Sequence, residues 1–108
     1  MKAVQKGKRL EKKVARLWRQ KIDKTAVTTP GSGSGDWYKE DVFTNYFSIE
    51  CKNQERVSLW KFWDQIRNAG KTGNKPPVLM ISGAYRPILA VMDIEDWLNL
   101  VKEAKIEK

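Results

Sequence analysis

The stretch Tyr46-Phe47-Ser48-Ile49-Glu50-Cys51-Lys52-Asn53 decides the fold. Side chains alternate across a strand. Phe47, Ile49 and Cys51 therefore make an apolar side, and Tyr46, Ser48, Glu50 and Lys52 a polar one. Upstream, Leu10, Val14, Leu17, Trp18 and Ile22 recur at helical spacing and predict a helix over Lys6–Lys21. Thr25–Thr29, rich in β-branched residues, predicts a short strand. Pro30-Gly-Ser-Gly-Ser-Gly35 interrupts regular structure. Asp36–Phe43 predicts a strand that turns near Thr44-Asn45 into the central one. Downstream, Ser58 caps a helix over Leu59–Ala69 that Gly70 stops, and Lys71–Lys75 is a loop. Pro77–Ser82 predicts a buried strand, Gly83–Arg86 a turn and Pro87–Met92 its partner. Asp93 caps a last helix, Ile94–Glu103, with Trp97, Leu98 and Val101 on one face. The order α-β-β-β-α-β-β-α predicts one α/β domain over residues 1–108, with a central mixed β-sheet flanked by helices.

The 108 residues are 41% hydrophobic and 31% charged, which excludes a disordered chain. One cysteine allows no internal disulfide and fits a reducing compartment such as the cytoplasm. The absence of histidine excludes zinc fingers and the Ser-His-Asp and Cys-His enzymes. Any metal site must use oxygen ligands. No apolar run approaches ~18 residues, so no membrane span or membrane partner is expected. No apolar stretch follows the basic start, so no signal peptide is expected.

The net charge of +8 is unevenly placed. Residues 1–24 carry ten basic residues and two acids, and the other 84 residues carry eleven of each. A basic helix attracts polyanions by counterion release, with nucleic acid the usual one. Lys6, Lys8, Arg9, Lys12, Lys13 and Arg16 are the candidate phosphate contacts. The same charge also suits a solvated helix or an anionic membrane surface.

Residues i and i+2 of a strand face one side about 6.5 Å apart. Glu50 and Lys52 therefore stand together, and Asp36 from the neighbouring strand can join them. Two carboxylates and the backbone carbonyl of Cys51 suit Mg²⁺, or Mn²⁺ as a substitute. Such a cation polarises a phosphoryl oxygen and activates water, while Lys52 orients that water or offsets developing charge. Read alone, Glu50-x-Lys52 is equally a surface ion pair. In the Gly/Ser loop, Ser32 and Ser34 can bond a phosphate while the glycines let the backbone approach; a plain linker has the same composition.

Gly35-Asp36 followed by Ile49-Glu50-Cys51-Lys52, fourteen residues from Asp36 to Glu50, resembles the PD-(D/E)xK nuclease superfamily, with Gly in place of the Pro. Within it the chain is most similar to the small archaeal and phage Holliday-junction resolvases, on Lys6-Gly7-Lys8-Arg9-Leu10-Glu11 and the Ser-containing loop. The Trp60-Lys61-Phe62-Trp63-Asp64-Gln65 stretch is more like phage members. The resemblance spans residues 6–92. It implies a restriction-endonuclease-like core, a homodimer, Mg²⁺ dependence without an organic cofactor, and cleavage of four-way DNA junctions. It also implies Glu11 as a third carboxylate at the metal and Gln65 as a further motif residue.

Leu59, Phe62, Trp63 and Ile66 form the core stripe of the second helix. Trp60 lies about 100° from Leu59, off that stripe, and with Trp63 suits a dimer interface. A non-catalytic nucleic-acid-binding module and a nuclease acting on flaps or duplex are the competing readings. A decayed module should have lost one of Asp36, Glu50 or Lys52, and all three are present.

Overall fold

The computed structural model describes residues 3–29, 40–73 and 75–105. Its elements are α1 (Ala3–Lys21), β1 (Val27–Thr28), β2 (Val42–Phe43), β3 (Ser48–Asn53), α2 (Leu59–Gly73), β4 (Pro77–Ser82), β5 (Leu89–Val91) and α3 (Ile94–Ala104). The order is the one the sequence predicts. The strands form one mixed sheet, β1-β2-β3-β4-β5, in which β3–β4 is parallel and the other pairs antiparallel. The parallel pair needs a crossover, and α2 provides it.

Packing of α1 on β1–β3 follows from its apolar stripe. Leu10, Val14 and Ala15 are buried against Val42, Phe47, Ile49, Cys51 and Val78, with Trp18 and Met80 at the edge. Ile49 and Val42 are fully buried. Truncating a side chain such as Ile49 to Ala leaves a cavity and costs about 2–5 kcal/mol. On the other side α2 covers β3 and β4, with Ile66 and Leu79 buried.

One carboxylate ties the end of α1 to the β2–β3 turn. Asp23 accepts from the backbone N–H of Thr25 at 2.9 Å and of Asn45 at 2.8 Å, and from the Thr25 hydroxyl. These donors hold its carboxyl below the usual carboxylate range. Trp18 stacks on Tyr46 and meets Phe47 edge-on, at 6.3 and 5.7 Å between ring centroids.

Several boundaries differ from the sequence expectation. The first strand is only Val27–Thr28, because Asp23 holds Thr25 in a turn. Residues 40 and 41 lie before β2 rather than in it, and residues 36–39 fall outside the described part. The central strand starts at Ser48, because the Thr44 hydroxyl accepts from Tyr46 and Phe47 N–H and holds that segment as a turn. Gly70 does not stop α2, which runs to Gly73; glycine merely weakens a helix, by about 1 kcal/mol, unless its end requires a left-handed residue. The partner strand of β4 is shorter than Pro87–Met92. Leu17 on α1 and Ile22 just past its end are exposed, and Ala15 takes the core place. Asp93 caps α3 as expected, accepting from Glu95 N–H at 2.8 Å. No residue of α3 is buried, and Trp97 and Leu98 are half exposed.

Candidate active site

The site grows from a kink at the start of β2. Val42 pairs with Ile49, yet the N–H of Asp41 also donates to the Ile49 carbonyl, at 2.9 Å. Two residues thus face one, as in a β-bulge, a device that re-aims a side chain beside active sites. The carbonyl of Asp41 turns the other way and accepts from Thr29 N–H at 3.0 Å. Its carboxylate is directed onto β3, where Oδ2 accepts from Cys51 N–H at 2.8 Å. In extended backbone the N–H and C=O of one residue point to the same edge. The Cys51 carbonyl therefore lies on the Asp41 side of β3.

Glu50 and Lys52 stand together on β3 as the alternation predicts, with Nζ 3.4 Å from Oε1. Lys52 also lies over the Phe62 ring of α2, 4.6 Å from its centroid. The two contacts hold the ammonium beside the carboxylate instead of leaving it free in solvent. Glu11 reaches the same place from α1 and hydrogen-bonds to Asp41. Burial, then the charge of Asp41 and that hydrogen bond, push its carboxyl up to about 7, while Lys8 and Lys52 pull it down. The buried Cys51 thiol is pushed up by burial, then by Asp41, Glu11 and Glu50, which surround it, and is unreactive.

So the structure gathers Glu11, Glu50, Lys52 and the Cys51 carbonyl. Asp36, Ser32 and Ser34 lie outside the described residues. Among the described residues, Asp41 also sets a carboxylate against β3, and the sequence expectation did not include it. Its signal was available: with the turn at Thr44-Asn45, the hairpin brings residues nine apart, Asp41 and Glu50, to the same level. Gln65 is exposed on α2, one turn beyond Phe62. Lys8, Arg9, Lys12, Lys13 and Arg16 are exposed along α1, whereas Lys6 is half-buried and its carbonyl accepts from Asn53. Trp60 is 73% exposed and Trp63 half-buried.

Among the described residues, no three Asp, Glu or Cys side chains close around one point as they stand. The donor chemistry nevertheless fits a hard divalent cation: the groups are all oxygen, two of them are fixed by the strand pair, and the mutual repulsion that raises the Glu11 carboxyl is what a positive charge would relieve.

Compared with known proteins, residues 2–107 match a family model described as "Phage putative PDDEXK endonuclease". The chain belongs to that family. No curated protein and no solved structure matches it. The Glu50-x-Lys52 pair on β3 has the spacing of the E-x-K in the family's name. Such nucleases usually work with divalent metals. No helix among the described residues is long and apolar enough to cross a membrane.

Proposed function

We propose that this PDDEXK endonuclease is a Mg²⁺-dependent endodeoxyribonuclease that cleaves four-way DNA junctions as a homodimer. The observation that carries the reading is the meeting of Asp41, Glu50, Lys52 and Glu11 at one level of the β2–β3 pair.

Asp41, Glu50 and the Cys51 carbonyl would hold the metal, which when bound would supply positive charge at the phosphoryl oxygen and favour ionised water. Asp41 is kept in place by the Cys51 N–H, so its position needs no rearrangement. Lys52, steered by Glu50 and Phe62, orients the attacking water and offsets charge that builds on the phosphate. Glu11, its carboxyl raised by burial and by Asp41, would be a third carboxylate at the site and would ionise more readily beside a bound cation. Asp36, Gln65, Ser32 and Ser34 remain supporting residues of this reading, for metal and phosphate.

The junction substrate is supported by the basic α1 beside the carboxylates and by the sequence resemblance to resolvases. Two symmetric cuts in a near two-fold junction need two sites related by a two-fold axis. The exposed Trp60 on α2, with Trp63, is the surface for that pairing. Matched junction, flap, Y-form and blunt duplex DNA incubated with Mg²⁺ test the substrate, and light scattering tests the mass. Paired cuts confined to the junction are expected. Equal cutting of blunt duplex, or a fully active monomer, removes the resolvase reading and leaves the endonuclease.

A further inference from the structure

A second basic surface lies around the end of β3. Strand alternation puts Lys52 on the α2 side and Asn53 on the α1 side, where Asn53 bonds the Lys6 carbonyl at 3.2 Å. From Asn53 a groove of about 490 Å³ runs between α1 and the β4–β5 turn. Lys6, Arg9, Lys13 and Arg86 line it, and no carboxylate does among the described residues. Its volume is that of a small-ligand pocket, roughly 300–1,000 Å³.

Tyr85 stands at the rim of this groove and is fully exposed. Its φ of 59° is left-handed, a conformation that a bulky residue adopts at a cost and that glycine adopts freely. The ring adds nothing to the core, and the turn chemistry does not call for it. The turn itself is firmly held. Ala84 N–H donates to Glu55 at 3.0 Å, Arg86 N–H to the Gly83 carbonyl at 3.2 Å, and the Ser82 hydroxyl to the Arg86 carbonyl at 3.3 Å. A Cβ on Gly83 would sit 3.2 Å from the Gln54 carbonyl, so the turn packs closely on the end of β3. An exposed aromatic residue presented by a hydrogen-bonded turn at the rim of a cationic groove has the components of a stacking platform for bases.

We infer that this groove binds unpaired nucleotides of the DNA, with Tyr85 stacking on a base and Lys6, Arg9, Lys13 and Arg86 holding the phosphates. The inference rests on the nuclease reading for the presence of DNA and adds to it a way to favour branched over fully paired substrate. The test uses a 2-aminopurine-labelled single-stranded oligonucleotide and blunt duplex of the same sequence, without divalent metal. The parent protein quenches the probe. Tyr85→Phe keeps the quench and the affinity within about twofold. Tyr85→Ala and Tyr85→Gly lose the quench and weaken single-strand binding about tenfold, the size of one lost stack, while duplex binding changes less than threefold. Tyr85→Gly should melt no lower than the parent, because it relieves the left-handed residue, so its defect is not one of folding. Parent-like quenching by Tyr85→Ala, or an equal loss in Tyr85→Phe, overturns the stacking role. Mg²⁺-dependent cleavage by the parent is a separate measurement, so failure of the nuclease reading is seen independently.

Discussion

Two carboxylates, one in the middle of α1 and one just past its end, are pushed in opposite directions. Asp23, just past the end of α1, is ringed by N–H and hydroxyl donors, and its carboxyl is held low. Glu11, in the middle of α1, meets burial and a second carboxylate, and its carboxyl is pushed up to about 7. The first region is satisfied by its own chain and fastens the fold. The second crowds carboxylates in a partly buried place, with Lys8 and Lys52 near. A carboxyl pushed this far by burial and a neighbouring carboxylate marks a candidate functional site.

The largest effect that can break this contrast is loss of a ligand. Asp41→Asn keeps an oxygen for the Cys51 N–H, and Glu50→Gln keeps its volume, but each removes charge that draws in Mg²⁺. Each should cut cleavage by more than about a hundredfold and leave junction binding intact. Parent-rate cutting by Glu50→Gln would end the assignment of this site. Lys52→Ala is next. It should lose about a hundredfold in rate while still binding Mn²⁺ by calorimetry. A Lys52→Ala protein that no longer takes up Mn²⁺ would mean the lysine shapes the metal site and does not assist the water.

A third comparison sets the exposed side of α1 against its buried side. Lys8, Lys12 and Arg16 are exposed, and their replacement by Ala touches neither Leu10 nor Val14. DNA affinity should fall and the dependence of log K on log salt should flatten by about 0.9 per lost phosphate contact. An unchanged slope in the triple variant would turn this face of α1 away from the DNA.

Strand alternation was readable in Ile49-Glu50-Cys51-Lys52, and the structure keeps Glu50 and Lys52 together as read. The helical stripe of α1 was readable through Leu10 and Val14, though its end was not, because Leu17 and Ile22 obey the same spacing and yet are exposed. Pattern shows which side of an element is apolar, and only tertiary packing shows how much of that side is covered. α3 makes the same point, with Trp97 and Leu98 half exposed on a well-capped helix. Asp41 is not legible for a different reason: a bulge that re-aims a side chain has no mark in a single sequence. Hairpin arithmetic from the turn at Thr44 would have reached Asp41.

The smallest effect lies in the pH dependence of stability, and it reads the two carboxylates directly. Without divalent metal, the Glu11 value of about 7 exceeds its ordinary 4.5. The folded chain then holds the proton more tightly than the unfolded one. Its contribution is complete below pH 4.5 and is lost as pH rises towards 7. Asp23 behaves oppositely, because its folded value lies below the ordinary 3.8. Its contribution is present above 3.8 and is lost as pH falls through the folded value. Thermal melts from pH 3 to 8 in chelator should therefore show a midpoint that declines by a few degrees between pH 4.5 and 7, modest because the Glu11 site is only partly shielded from solvent. Glu11→Gln should flatten that limb and melt higher than the parent at pH 7.5. Asp23→Asn should melt lower at pH 7.5 and lose the acid limb below pH 4, with the decline between 4.5 and 7 unchanged. Mg²⁺ at pH 7.5 should raise the parent's midpoint, since a ligand that binds only the folded chain stabilises it. Parallel curves for the parent and Glu11→Gln through pH 4.5–7 would show that Glu11 does not hold the proton, and the contrast between the two carboxylates would fall.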